Sequence, residues 1–185
     1  NVVLARYEVK AYGENMKVEN LSVAVVEGNS EAAYALRNGA LFLDGAQIGS
    51  TAAINATTST PAYTNFTFGS SFIVTPGTTR ILEIRGDLYD NNGTNEVTAN
   101  DTLTARIVVG STNVQRMTSL GYGSYPAAVV TGNQLTVKTG SLTVAKDTST
   151  ANSTQVAPKT ALLIGKFNIQ ASTSEGSNIT SITVD

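Results

Sequence analysis

Nearly every stretch of this chain alternates apolar and polar residues with period two and is broken every few positions by Gly, Asn, Asp, Ser or Pro. Short β-strands joined by turns satisfy that pattern, and helices do not. No segment carries a sustained apolar stripe at helical spacing, so the prediction is an all-β chain with no helix longer than about two turns. In LARYEVKA, Ala5, Tyr7, Val9 and Ala11 fall on one face and Arg6, Glu8 and Lys10 on the other, as in a half-buried strand. The apolar set then moves from Met16 and Val18 to Leu21, Val23 and Val25, and this change of phase predicts a bulge near Glu19 and Asn20.

The apolar run 40–43 is closed by Asp44-Gly45, a turn dipeptide that hands over to a strand through Ile48. Further strands are predicted over 64–68, 71–74, 80–88 and 102–109, with Pro76-Gly77 turning the chain between the second and third of these. Leu135 and Val137, then Leu142 and Val144, add two more on either side of Gly140. A sheet of about ten strands closes or folds over into two layers. The expected fold is therefore a two-layer antiparallel β-sandwich, Ig-like or jelly-roll-like, and 185 residues suit one such domain.

An internal repeat constrains the organisation further. LARYEVKAYGENMKVENLSV near the start matches IGKFNIQASTSEGSNITSITV near the end, offset by about 160 residues. Leu4 matches Ile164, Ala5 Gly165, Arg6 Lys166, Tyr7 Phe167, Val9 Ile169 and Ala11 Ala171. After a one-residue insertion, Val18 matches Ile179, Leu21 Ile182 and Val23 Val184. The predicted division is a sandwich over 1–146, a polar Pro-terminated linker over 147–160, and a repeated strand pair over 161–185. A repeat begun and not finished needs a partner outside its own domain. Ile164, Phe167, Ile169, Ala171, Ile179, Ile182 and Val184 are accordingly the expected assembly residues, available to pair with a neighbouring subunit or a following repeat.

The motifs LARYEVKA, LFLDGAQIGS, PGTTRILEIRGDL, LTVKTGSLTVAKD and LIGKFNIQAS together resemble the repeated β-sandwich modules of large surface proteins in uncultured bacterial lineages. In kind the chain is also similar to bacterial and archaeal fibre subunits that share strands between neighbours. The resemblance implies extracellular display on the cell surface, modular repetition and no catalysis.

Composition narrows the chemistry independently. Cysteine and histidine are both absent, which removes disulfides, thiol and Ser-His-Asp catalysis and the common zinc sites, so no enzyme is expected. A formal net charge of -2 without any Lys/Arg cluster excludes a nucleic-acid face. Apolar runs as short as 161–164 fall far below the roughly 20 residues of a membrane-spanning helix. A first residue other than Met fits a secreted protein whose signal peptide has been removed. The expected role is thus a structural subunit of an extracellular filament, surface layer or tandem-repeat stalk, joined to copies of itself by strand addition.

Three residue groups offer alternatives. Asp87, Asp90, Asn92 and Asp101, with Asn91, Asn95 and Glu96 between them, supply oxygen ligands at the close spacing calcium needs, although the same residues favour a plain turn. Asn20, Asn55, Asn65, Asn92, Asn100, Asn152 and Asn178 stand in N-x-S/T sequons open to glycosylation. Tyr122 and Tyr125 in the Gly-rich 121–126 loop, with Tyr63 and Phe66 near another turn, could stack on sugars, which would make the chain an adhesin or carbohydrate-binding module. The plainer reading of these aromatics is packing at the end of the sandwich. Glu83 and Asp87 share a strand face as apparent surface charges rather than a catalytic pair, and Lys10 and Lys166 point away from the core, against an isopeptide bond.

Overall fold

The computed structural model describes residues 2–28, 34–57, 62–88, 99–138, 140–149, 154, 156–158, 160–172 and 178–183. All regular structure among them is β, and no helix occurs there. In chain order the strands are β1 (Val2–Lys10), β2 (Met16–Val18), β3 (Asn20–Glu27), β4 (Tyr34–Leu43) and β5 (Ala46–Thr57). Next come β6 (Thr64–Thr67), β7 (Ile73–Val74), β8 (Thr79–Asp87), β9 (Thr102–Ile107) and β10 (Val114–Arg116). The remainder are β11 (Tyr122–Gly123), β12 (Val130–Thr136), β13 (Leu142–Lys146) and β14 (Phe167–Ala171). The short strands β10 and β11 were not among those expected, and they join β2 and β7 in a sheet of their own.

The chain divides into two compact units, Asn1–Val137 and Lys138–Asp185. In the first, an eight-stranded sheet runs β1-β8-β4-β5-β3-β9-β12, with β6 also on β3, and the four-stranded sheet runs β11-β10-β2-β7. The pairings are antiparallel apart from β3 with β5. The second unit holds the two-stranded sheet β13-β14. This moves the expected boundary at 146 back to 137. The strand 142–146 belongs with the repeated segment, because its ladder partner is β14.

Local sequence explains the large sheet. Asp44 and Gly45 adopt φ of 50° and 85°, the left-handed pair that a two-residue hairpin requires, and Leu43 and Ala46 close the β4-β5 ladder around them. The Asp44 carboxylate then accepts from the Ile81 N–H at 2.7 Å and from Arg80, tying the turn to β8. Those two donors, the backbone one first, hold the Asp44 carboxyl below its ordinary value. In β1 the predicted alternation holds, and an irregularity between Val3 and Ala5 turns Leu4 inward as well.

The change of phase at Glu19 and Asn20 is not a bulge within one strand. There the chain leaves β2 in the smaller sheet and enters β3 in the larger, so the apolar set changes face because the strand changes sheet.

Leu36, Leu41, Ile54, Leu82, Ile84 and Leu103 of the large sheet are buried to 1% exposure or less, and Phe72 before β7 meets Phe68 edge to face at 5.2 Å. Full burial of each such side chain is worth about 1.5–3 kcal/mol. The two ends of the large sheet's strand order approach each other, since β1 contacts both β9 and β12. Tyr7 makes this contact: its hydroxyl donates to the Ala105 carbonyl of β9 at 2.9 Å. A Cβ on Gly132 of β12 would lie 2.7 Å from the Ala5 Cβ, so only glycine admits β1 this closely.

Candidate assembly surface

Two features of the described residues stand apart from the core: the β13-β14 sheet and the edge of β1.

In β13-β14, Leu142 faces Ala171, Val144 faces Ile169 and Lys146 faces Phe167, while Thr143 faces Gln170 and Ala145 faces Asn168. Opposite residues of an antiparallel pair share a face. One face of this ladder is therefore apolar and the other polar. Asp147 N–H donates to the Lys166 carbonyl at 2.9 Å and Ser172 N–H to the Ser141 carbonyl at 2.8 Å, which prolongs the ladder at both ends. Lys166 Nζ also lies 3.2 Å from the Asp147 carboxylate. That carboxyl is held below its usual range, first by the Ser149 hydroxyl and backbone and then by Lys166.

The side chains of the apolar face are exposed. Val144 and Phe167 are each 61% exposed, Leu142 44% and Ile169 42%, and Ala171 is half-buried. Ile164, Ile179 and Ile182 are exposed as well and lie outside any strand, so the second strand of the predicted pair does not form over 178–183. Val184 lies outside the described residues.

Along β1, an apolar groove opens between the strand and the smaller sheet. One cavity of about 450 Å³ is lined by Val9, Ala11, Met16, Val18, Val74 and Val114, with the charged Lys10, Glu14 and Arg116 also on its wall. A second of about 240 Å³ shares Val9, Val18 and Val114 with it and continues toward Leu21, Leu82 and Ile107. Tyr125 borders both. Apart from an isolated bridge between Ala11 and Pro76, β1 has β8 as its one ladder partner among the described residues.

The 121–126 loop forms part of this groove through a residue that the sequence did not single out. Asn113 is 1% exposed; its Nδ2 donates to the carbonyls of Asn20 at 2.9 Å and Tyr125 at 2.6 Å, and its Oδ1 accepts from the Tyr125 N–H at 2.9 Å. In the sequence Asn113 reads as one more turn-forming Asn, and no local signal separates it from the others. Glu14 similarly accepts from the N–H groups of Thr118 and Ser119 and from the Ser119 hydroxyl, and these donors, Ser119 foremost, lower its pKa. Tyr122 and Tyr125 are about half exposed, and Tyr122 donates to Glu19 at 3.3 Å. Tyr63 is exposed, whereas Phe66 belongs to the core.

Glu83 differs from its expectation as a surface charge. It is 6% exposed, clamped between Arg6 at 2.5 Å and Arg85, whose guanidinium stacks 4.0 Å above the Phe42 ring. Hydrogen bonds from Arg85 and then Arg6 depress its pKa. Asp87 accepts from Asn38 at 2.7 Å, which lowers its pKa.

Of the calcium candidates, Asp101 is fully buried before β9, and Asp90 and Asn92 lie outside the described residues. No group of three or more carboxylates able to hold a metal occurs among the described residues. Among the sequons, Asn20, Asn55 and Asn65 sit in strands, with Asn65 exposed, Asn100 and Asn178 are exposed, and Asn92 and Asn152 lie outside the described residues. Lys10 and Lys166 are both exposed, and Lys10 pairs with Glu8 at 2.9 Å.

No family model matches this chain, and no characterised protein or solved structure shows significant similarity to it.

Proposed function

We propose that this chain is a structural module of an extracellular assembly, a filament, surface layer or tandem-repeat stalk, whose neighbours join by adding strands to one another's sheets. The first unit is read as the sandwich, the large sheet doubling back on itself with the smaller sheet against its open side. The second unit is read as the joint.

The observation that carries this reading is the exposed apolar face of β13-β14. A two-stranded sheet by itself is marginally stable in water. Leaving Leu142, Val144, Phe167 and Ile169 partly wet forgoes roughly half of the 1.5–3 kcal/mol apiece that full burial would contribute. Contiguous exposed apolar surface of this kind marks an interface. Strand addition fits it, since backbone hydrogen bonds supply direction and alternate side chains supply burial. Contacts of this head-to-tail kind repeat without closing and so build fibres or arrays.

The test is sedimentation velocity on the full chain over a wide concentration range, with electron microscopy of the concentrated material. The expected result is concentration-dependent growth into filaments or sheets. A monomer at every concentration, unaffected in solubility by polar substitutions on the β13-β14 apolar face, overturns the reading.

A further inference from the structure

The geometry points to a specific acceptor: the open edge of β1 and the groove beneath it receive the strand Leu142–Lys146 of a second copy of this sequence, in the register that β13 keeps with β14. This inference rests on the strand-addition reading and adds the site, the donor and the register.

Hydrogen-bond parity carries the argument. Asp44 N–H donates to the Ile81 carbonyl, and Asp44 stands opposite Ile81 when the β4-β8 register is extended by one residue. Backbone groups of alternate residues point to opposite edges of a strand. Residues 81, 83 and 85 of β8 therefore bond to β4, and residues 80, 82 and 84 bond to β1. Their partners across the ladder are Val9, Tyr7 and Ala5. Arg6, Glu8 and Lys10 consequently turn their N–H and C=O groups to the open edge.

The second unit displays the complement. The bonds from Asp147 to Lys166 and from Ser172 to Ser141 show that Lys166, Asn168, Gln170 and Ser172 face β13. Under the repeat, Lys166 corresponds to Arg6, Asn168 to Glu8 and Gln170 to Lys10. The backbone groups that β14 gives to β13 are thus the ones that β1 leaves open. Conversely Phe167, Ile169 and Ala171 face the unpaired edge of β14, where Tyr7 and Val9 of β1 hold β8. Each sheet has the neighbour that the other lacks, and because β13 meets β1 through the edge that β14 holds, donation of the strand requires β14 to give up that edge.

Side chains agree with the backbone. Carried onto β1, the β13-β14 register sets Leu142 opposite Ala11 and Val144 opposite Val9. Both Val9 and Ala11 line the groove, so the donor's Leu142 and Val144 would enter apolar space bordered by Met16, Val18, Val74 and Val114. Pairing through the other edge of β13 would turn these two side chains outward, which fixes the choice of edge. In an extended array, β14 occupies the place of the next module's β1.

The chain contains no cysteine, which allows a background-free test. Val9→Cys in the full-length chain is mixed with a synthetic peptide of residues 138–149 carrying either Val144→Cys or Thr143→Cys, under mild oxidation. Val9 and Val144 form a non-hydrogen-bonded pair with Cα atoms about 4.5 Å apart, within the disulfide range, whereas position 143 projects from the opposite face. Capture of the Val144→Cys peptide at least about tenfold faster is expected. In parallel, a labelled peptide of native sequence binds the unsubstituted chain, and its Val144→Asp version does not.

Equal capture of both peptides, or capture of neither, overturns the assignment. If the full chain assembles while neither peptide is captured, strand addition uses another surface and the structural-module reading survives. If the Val144→Cys peptide is captured by a chain that never self-associates, the groove assignment stands and the self-assembly reading fails.

Discussion

Asn113→Ala removes the residue that anchors the loop beside the groove, and its cost follows from three hydrogen bonds. The side chain is 1% exposed and bonds to the Asn20 carbonyl and to both the carbonyl and the N–H of Tyr125. Each contributes about 1 kcal/mol net, and alanine brings no substitute partner for the groups it strands, so a loss of about 3 kcal/mol is expected. For a chain of this size that corresponds to a fall of roughly 6–12 °C in Tm. Urea denaturation followed by tyrosine fluorescence and far-UV circular dichroism measures it, with the midpoint lowered and the slope unchanged. Asn113→Asp sharpens the test. It keeps the acceptor for Tyr125 N–H but sets a carboxylate against two carbonyl oxygens, so the variant should be unstable at neutral pH and recover as acid protonates it. A loss below about 1 kcal/mol in Asn113→Ala would refute the clamp. Because Tyr125 borders both cavities, the same variant should bind the 138–149 peptide more weakly.

The remaining predictions concern the edges of the fold. Tyr7 has its pKa pushed up to about 12 by burial, partly offset by hydrogen bonding from the Gly132 backbone. A raised value means that its contribution is complete below the unfolded value of 10.0 and is lost as pH rises through about 12. Tyr7→Phe should cost about 1 kcal/mol at neutral pH and flatten the alkaline limb of a stability profile. Glu83 is depressed, so its contribution is present above the ordinary value of 4.5 and is lost as pH falls through the lower folded value. Glu83→Gln should therefore lose stability at neutral pH and show a shallower acid limb in denaturation midpoints. Val144→Asp alters an exposed side chain and should leave monomer stability within about 0.5 kcal/mol while abolishing association in sedimentation.

Much of the strand content was legible because its signals are local. Alternation in β1 and β9, and the Asp44-Gly45 turn, need only a few neighbouring residues to specify them. The change of sheet at Glu19 and Asn20 left a trace, but a phase shift looks the same whether a strand bulges or departs for another sheet. Asn113 and Glu83 were opaque for a different reason. The role of each depends in part on a partner far along the chain, Asn20 for one and Arg6, beside the local Arg85, for the other, and sequence spacing does not bring these together. Leu142 and Val144 resemble core residues in pattern, and their exposure appears only once β13 is seen to have β14 as its ladder partner among the described residues.

The pairing of β1 with β8 also has a kinetic side. Arg6 meets Glu83, 77 positions further along the chain, whereas β4 and β5 are joined by a two-residue turn. Closing a long loop costs more chain entropy than closing a tight hairpin, and chains dominated by distant pairings fold slowly, on the order of milliseconds to seconds. The β4-β5 hairpin, whose Asp44 accepts from Arg80 and Ile81 at the start of β8, is the local unit to which β8 and then β1 can add. By that entropic ordering β1, which precedes β8 in the chain, is placed after the β4-β5 hairpin has closed. Until it is placed, both edges of β1 are open to pairing with a neighbouring copy, before the groove has finished forming.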